Sequence, residues 1–129
     1  MPKFELNKLV RDGFKDEYEQ SGQKAIYREL LPEEHKTQLL CKIVEEAQEI
    51  KTDSPTDEVI KEIADIVQVV GDLMKIYNIT EEQVEIAKRK KFEKIGGFAT
   101  GTFVETLELD DDDEWVEYYR KHPDIFPEL

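Results

Sequence analysis

A single cysteine, Cys41, leaves the 129-residue chain without an intrachain disulfide. It sits beside Leu39, Leu40 and Ile43, so it is expected as a buried small hydrophobe and not as a reactive thiol. Long apolar runs are also missing, and none approaches the roughly 18 residues of a membrane-spanning helix. The opening Met1-Pro-Lys-Phe-Glu5 lacks the apolar stretch of a secretion signal. A soluble, cytoplasmic protein is expected. Positive charge is scarce, with 18 Lys and Arg against 31 Asp and Glu and a formal net charge of −13. That balance argues against nucleic acid or an anionic membrane as the main partner. It also repels any phosphate-bearing substrate, which would need local Lys or Arg and a divalent cation to reverse the field.

What the chain has in excess is charge on helical patterns. Charged residues reach 38%, against about 25% in an average protein. Hydrophobic residues make up 39%, enough for a modest core in one domain spanning 1–129, with no internal repeat and no long linker. Leu6, Leu9, Val10 and Phe14 give residues 5–20 a mostly helical spacing. Lys24–Leu30 reads as a short strand or an extended connector. Pro32-Glu33-Glu34 marks a helix start, with proline in the first turn and acids at the positive end of the dipole.

That helix is predicted to run to about Lys51, with Leu39, Leu40, Ile43, Val44, Ala47 and Ile50 along one stripe. Thr52–Asp57 supplies a turn and an N-cap for a second long helix over 57–77. Thr80-Glu-Glu-Gln83 has the form of a capping box and opens a third helix, which Gly96-Gly97 ends. Thr102–Leu109 alternates like a short strand. Asp110–Glu114 is expected as a solvated loop that caps a last helix over Trp115–Lys121. It lacks the glycine and terminal glutamate of an EF-hand calcium loop.

The two central helices carry the candidate chemistry. Glu46/Glu49 on the first and Glu62/Asp65 on the second are each three residues apart, hence on a shared face. Two such helices packed antiparallel would aim four carboxylates at one point, a donor set suited to Mg²⁺ or Mn²⁺. Spacing alone is weak, because in so acidic a chain a four-acid pattern matches by chance in about one register in 300.

Burial context carries more. On a helical projection of 57–77, Ile63, Ala64, Val67, Val70 and Met74 form one stripe that Ile66, Val69, Leu73 and Ile76 widen. Glu62 falls inside the widened stripe, and Asp65 lies at its edge. A carboxylate there is costly unless it is paired or metal-bound. Metal binding and an interhelical salt bridge satisfy Glu62 equally well at this stage.

Glu46-Ala-Gln-Glu49, a gap of twelve residues and Glu62-Ile-Ala-Asp65 resemble the ExxE…ExxD signature of the all-α nucleoside triphosphate pyrophosphatases. That superfamily includes MazG-type proteins, phosphoribosyl-ATP pyrophosphohydrolases and dimeric dUTPases. Asn7-Lys-Leu-Val-Arg-Asp12, Leu30-Leu-Pro-Glu-Glu34, Lys42-Ile-Val-Glu-Glu-Ala-Gln-Glu49 and Lys91-Phe-Glu-Lys-Ile-Gly-Gly-Phe98 match a house-cleaning branch in the same order. The similarity spans about 5–105 and leaves 106–129 as an acidic C-terminal extension.

The resemblance implies an all-α, MazG-like antiparallel helix bundle with minor short strands, assembled as a homodimer or homotetramer. It implies that Glu46, Glu49, Glu62 and Asp65 hold Mg²⁺, with Mn²⁺ as substitute, and that Glu45 and Glu46 take part in catalysis. The ion would activate water against the α-phosphorus of a nucleotide substrate, releasing pyrophosphate and a nucleoside monophosphate. Lys42, Lys88, Lys91, Lys8 and Arg11 are candidate phosphate contacts, with Lys94 a weaker one. Gly13-Phe14 and Lys94-Ile95 depart from the residues that relatives commonly carry there. The competing expectation is a non-catalytic helical module that has kept the fold for regulation or partner binding.

Overall fold

The computed structural model describes residues 1–129 and contains five helices and no strand. The chain divides into two compact units, Met1–Arg89 and Lys90–Leu129. The helices are α1 (Phe14–Gln20), α2 (Pro32–Glu49), α3 (Thr56–Ile76), α4 (Glu81–Ile95) and α5 (Trp115–Arg120). None is long and apolar enough to cross a membrane.

The first unit is built on the hairpin of α2 and α3, the one pair of helices that packs together. Only residues 50–55 join them, and the Lys36 ammonium near the start of α2 lies 4.7 Å from the ring centre of Tyr77 at the end of α3. The two helices therefore run antiparallel. Proline starts α2 as expected, with Glu33 and Glu34 in its first turn. Helix α3 starts without a side-chain cap, because its N-cap residue is Pro55, which carries no acceptor, while Ser54 Oγ accepts the Lys51 backbone N–H at 2.9 Å. It ends where Asn78 turns into the left-handed region at φ 56°. There the Ile79 N–H reaches the Met74 carbonyl and the Asn78 N–H reaches that of Lys75, a Schellman closure with asparagine in glycine's usual place.

The capping box at the start of α4 forms as predicted. Gln83 N–H donates to Thr80 Oγ1 at 3.1 Å, and Thr80 N–H donates to Gln83 Oε1 at 2.8 Å. In the second unit α4 closes with Gly96 at φ 74°, its N–H on the Phe92 carbonyl. Asp113 accepts the Trp115 N–H at 2.8 Å from just ahead of the last helix, whose N-cap residue Glu114 makes no side-chain cap of its own. Trp115, Tyr118, Tyr119, His122 and Phe126 then stack into a small aromatic cluster around α5.

Three expectations fail for identifiable reasons. The helix predicted over 5–20 is formed only from Phe14 onward. A short helix is marginal by itself, and Lys8 and Arg11 are drawn instead onto carboxylates of α2 and α3. Thr102–Leu109 forms no strand, since a strand needs a hydrogen-bonded neighbour and the chain contains none. Lys24–Leu30 is accordingly the connector and not the strand. Cys41 is exposed, not buried, because the α2 stripe is wider than the face that α3 covers.

Burial is thin throughout. Leu39 is the one buried apolar residue and Glu46 the one buried charged residue. Ile60, Ile63, Val67 and Val70 on α3, with Leu40 and Val44 on α2, stay exposed. Val67 retains 63% of its surface. The long apolar stripe of α3 is thus only partly used within one chain.

Candidate metal centre

Helix α2 contributes Glu45, Glu46 and Glu49, and α3 contributes Glu62 and Asp65. Antiparallel packing brings them together as the spacing predicts. Carboxylate oxygens of Glu46, Glu62 and Asp65 lie within 4.8 Å of one another, as do those of Glu45, Glu46 and Glu49. Glu46 belongs to both groups and is the pivot of the site. It is only 6% exposed.

Basic side chains reach part of this cluster. Lys8 Nζ donates to Glu45 Oε1 at 2.8 Å, and Arg11 donates to Asp65 Oδ1 at 2.5 Å. Lys42, one turn before the acids on α2, stands 3.4 Å from both Glu45 and Glu46. Three of the five predicted phosphate contacts therefore surround the carboxylates. Lys88 does not join them, and its ammonium pairs with Glu85 on α4. Lys91 lies exposed in the second unit.

The electrostatics separate the five acids. Glu45 is held below the usual carboxylate range chiefly by its hydrogen bond from Lys8; burial pushes the other way, and the nearby charges of Lys42 and Lys8 add to the lowering. Lys8 is raised in turn by Glu45. Glu62 goes the other way and is pushed up to about 7. The Glu46 carboxyl within hydrogen-bonding reach is the main cause, followed by desolvation and then by Glu49. Glu62 is half-buried as a residue, yet its Oε2 is shut off from solvent and has no hydrogen-bond partner.

No lysine or arginine pairs with Glu62, and an interhelical salt bridge does not explain it. Five carboxyl groups face three cations, so acids outnumber bases at one point. An orphaned buried oxygen among all-oxygen donors fits a hard divalent cation.

Two shallow surface hollows occur, one lined by Asp111–Asp113, Val116, Glu117, Arg120 and Lys121, the other by Glu81, Glu82, Glu85, Ile86 and Arg89. Neither is lined by any of the five carboxylates. Compared with known proteins, the chain matches no family model, no curated protein and no solved structure.

Proposed function

We propose that the chain is a Mg²⁺-dependent nucleoside triphosphate pyrophosphohydrolase of the all-α, MazG-like kind its motifs resemble. The observation that carries the reading is Glu62, whose buried Oε2 has no hydrogen-bond partner and which sits against Glu46 and Glu49 with no lysine or arginine paired to it. Glu46, Glu49, Glu62 and Asp65 would hold the ion, which when bound supplies positive charge to the triphosphate oxygens and to the attacking water.

The remaining chemistry belongs to side chains. In this reading Glu45 would accept a proton from water as it attacks the α-phosphorus. The bond from that phosphorus to the bridging oxygen breaks, and pyrophosphate leaves with the electron pair. Lys8 lowers the basicity of Glu45, so withdrawal of that ammonium would favour proton transfer to it. Lys42 stays beside Glu45 and Glu46 and keeps their charges from repelling the phosphates outright. Modified or surplus nucleotides of the cytoplasm are the substrate class the resemblance implies.

The same reading includes a homo-oligomer, a dimer or a tetramer. The exposed α3 stripe of Ile60, Ile63, Val67 and Val70 supports a second copy covering it, since an apolar helix face of that length left in water is costly.

A pyrophosphate-release assay over a panel of nucleotides tests the proposal, with and without Mg²⁺, on wild type and on Glu46→Gln. Turnover of at least one triphosphate, lost in both controls, is expected. Silence across the panel would favour the non-catalytic helical module, a reading to which the ion pairs on Glu45 and Asp65 lend some weight.

A further inference from the structure

The segment before α1 is held down in an unusual way. Residues 1–12 form no helix, and none of their backbone N–H groups makes a backbone hydrogen bond. Its side-chain ties to the rest of the first unit are two ion pairs spanning 37 and 54 residues of sequence, Lys8 to Glu45 and Arg11 to Asp65. Leu9, between them, is half-buried. Asn7 sits at φ 47°, a left-handed turn that an asparagine accepts with little penalty. It bends the chain just before Lys8.

Both ion pairs are exposed on the cationic side, with Lys8 and Arg11 retaining 55% and 57% of their side-chain surface. Pairs of this kind are weak and exchange readily. They also engage two of the carboxylates assigned above to the ion and to proton transfer. A divalent cation beside Asp65 repels the guanidinium that now occupies Oδ1. A triphosphate offers that guanidinium a stronger, forked acceptor.

We propose that residues 5–12 are a tethered counter-ion strap: Lys8 and Arg11 neutralise Glu45 and Asp65 in the empty site and pass to the substrate's phosphates when ion and triphosphate arrive. This rests on the metal-site reading of the same carboxylates. Handover does three things together. It exposes Asp65 to the ion, frees the Glu45 carboxylate from the Lys8 ammonium, and delivers two positive charges to the leaving pyrophosphate. Empty and loaded sites then differ in which anions the strap holds.

Removing a strap cation should act with opposite sign on the two ligands, which a purely structural role would not do. Ion binding is read with Mn²⁺ alone by electron paramagnetic resonance. Phosphate binding is read by calorimetry with Mg²⁺-tripolyphosphate, which needs no knowledge of the base. Arg11→Met should tighten Mn²⁺ about two- to five-fold, the fold-range of an exposed ion pair, and weaken tripolyphosphate about five-fold or more. Lys8→Met should show the same pair of effects, and Arg11→Lys should recover part of both.

If wild type binds Mn²⁺ but both Met variants bind it equally or more weakly, the strap is wrong and the metal site stands. Unchanged tripolyphosphate affinity in both would likewise refute the handover. If wild type binds no Mn²⁺ at all, the metal reading falls and takes the strap with it.

Discussion

Binding of a divalent ion at the carboxylate cluster should eject a proton, and the amount is set by Glu62. In the ion-free protein that carboxyl is pushed up to about 7, chiefly by Glu46 and by desolvation. At pH 7 it is therefore about half protonated, and an ion that needs the carboxylate must displace what is there. About half a proton should be released per ion at pH 7, about 0.9 at pH 6 and about 0.1 at pH 8. The same linkage weakens apparent ion affinity about ten-fold between pH 8 and pH 6.

Isothermal titration of Mg²⁺ or Mn²⁺ in two buffers of different ionisation enthalpy counts these protons directly. Glu62→Gln should bind the ion more weakly and release almost none. Saturable binding to wild type with no proton release from pH 6 to pH 8 would refute the reasoning. It would mean that the ion sits away from Glu62, or that this carboxyl is already ionised.

Glu62 also gives the stability of the ion-free protein a definite pH dependence. Between about 4.5, its ordinary value, and about 7 the folded chain keeps a proton that the unfolded chain has lost. Its contribution is full below that window and fades as pH rises through about 7. Thermal melting in chelator should thus flatten across this range in Glu62→Gln, which at pH 8 should be at least as stable as wild type; a large loss there would reveal a structural pairing. If the proposed oligomer forms through the exposed α3 stripe, Val67→Glu in its middle should weaken self-association at least ten-fold by sedimentation while helical content is retained. An unaltered oligomer would place the interface elsewhere. Thr80→Ala removes one half of the reciprocal cap on α4 and should cost about 1 kcal/mol in chemical denaturation. A change near zero would show that α4 lies outside the cooperative unit.

The convergence of the carboxylates was legible because two periodicities agree. The i, i+3 spacing placed each pair on one face, and the apolar stripe of α3 placed Glu62 and Asp65 towards a neighbour. The capping box at Thr80 and the stop at Gly96 were equally readable, being local chemistry complete within four residues. The N-terminal segment was not. Its apolar spacing is helical, and the partners that keep it extended, Glu45 and Asp65, are 37 and 54 residues away. Cys41 is exposed despite its apolar sequence neighbours, because those neighbours wrap around the helix while only one side meets α3. The strand expected at Thr102–Leu109 failed because alternation describes a surface, and a sheet also needs a partner.

The connector between α2 and α3 has a consequence for how the chain tolerates insertions. With only residues 50–55 between the two helices, the azimuth of Glu62 follows from a fixed count of positions after Thr56. Adding one residue at any point between Thr56 and Lys61 would swing Glu62 and Asp65 by about 100°, away from Glu46, and leave every helix-forming residue in place. The same residue added among exposed Lys51, Thr52 and Asp53 would be absorbed by the bend. An indel scan scored for helicity and Mn²⁺ uptake should therefore show a sharp edge near Thr56, with ordinary circular dichroism on both sides and ion uptake on only one.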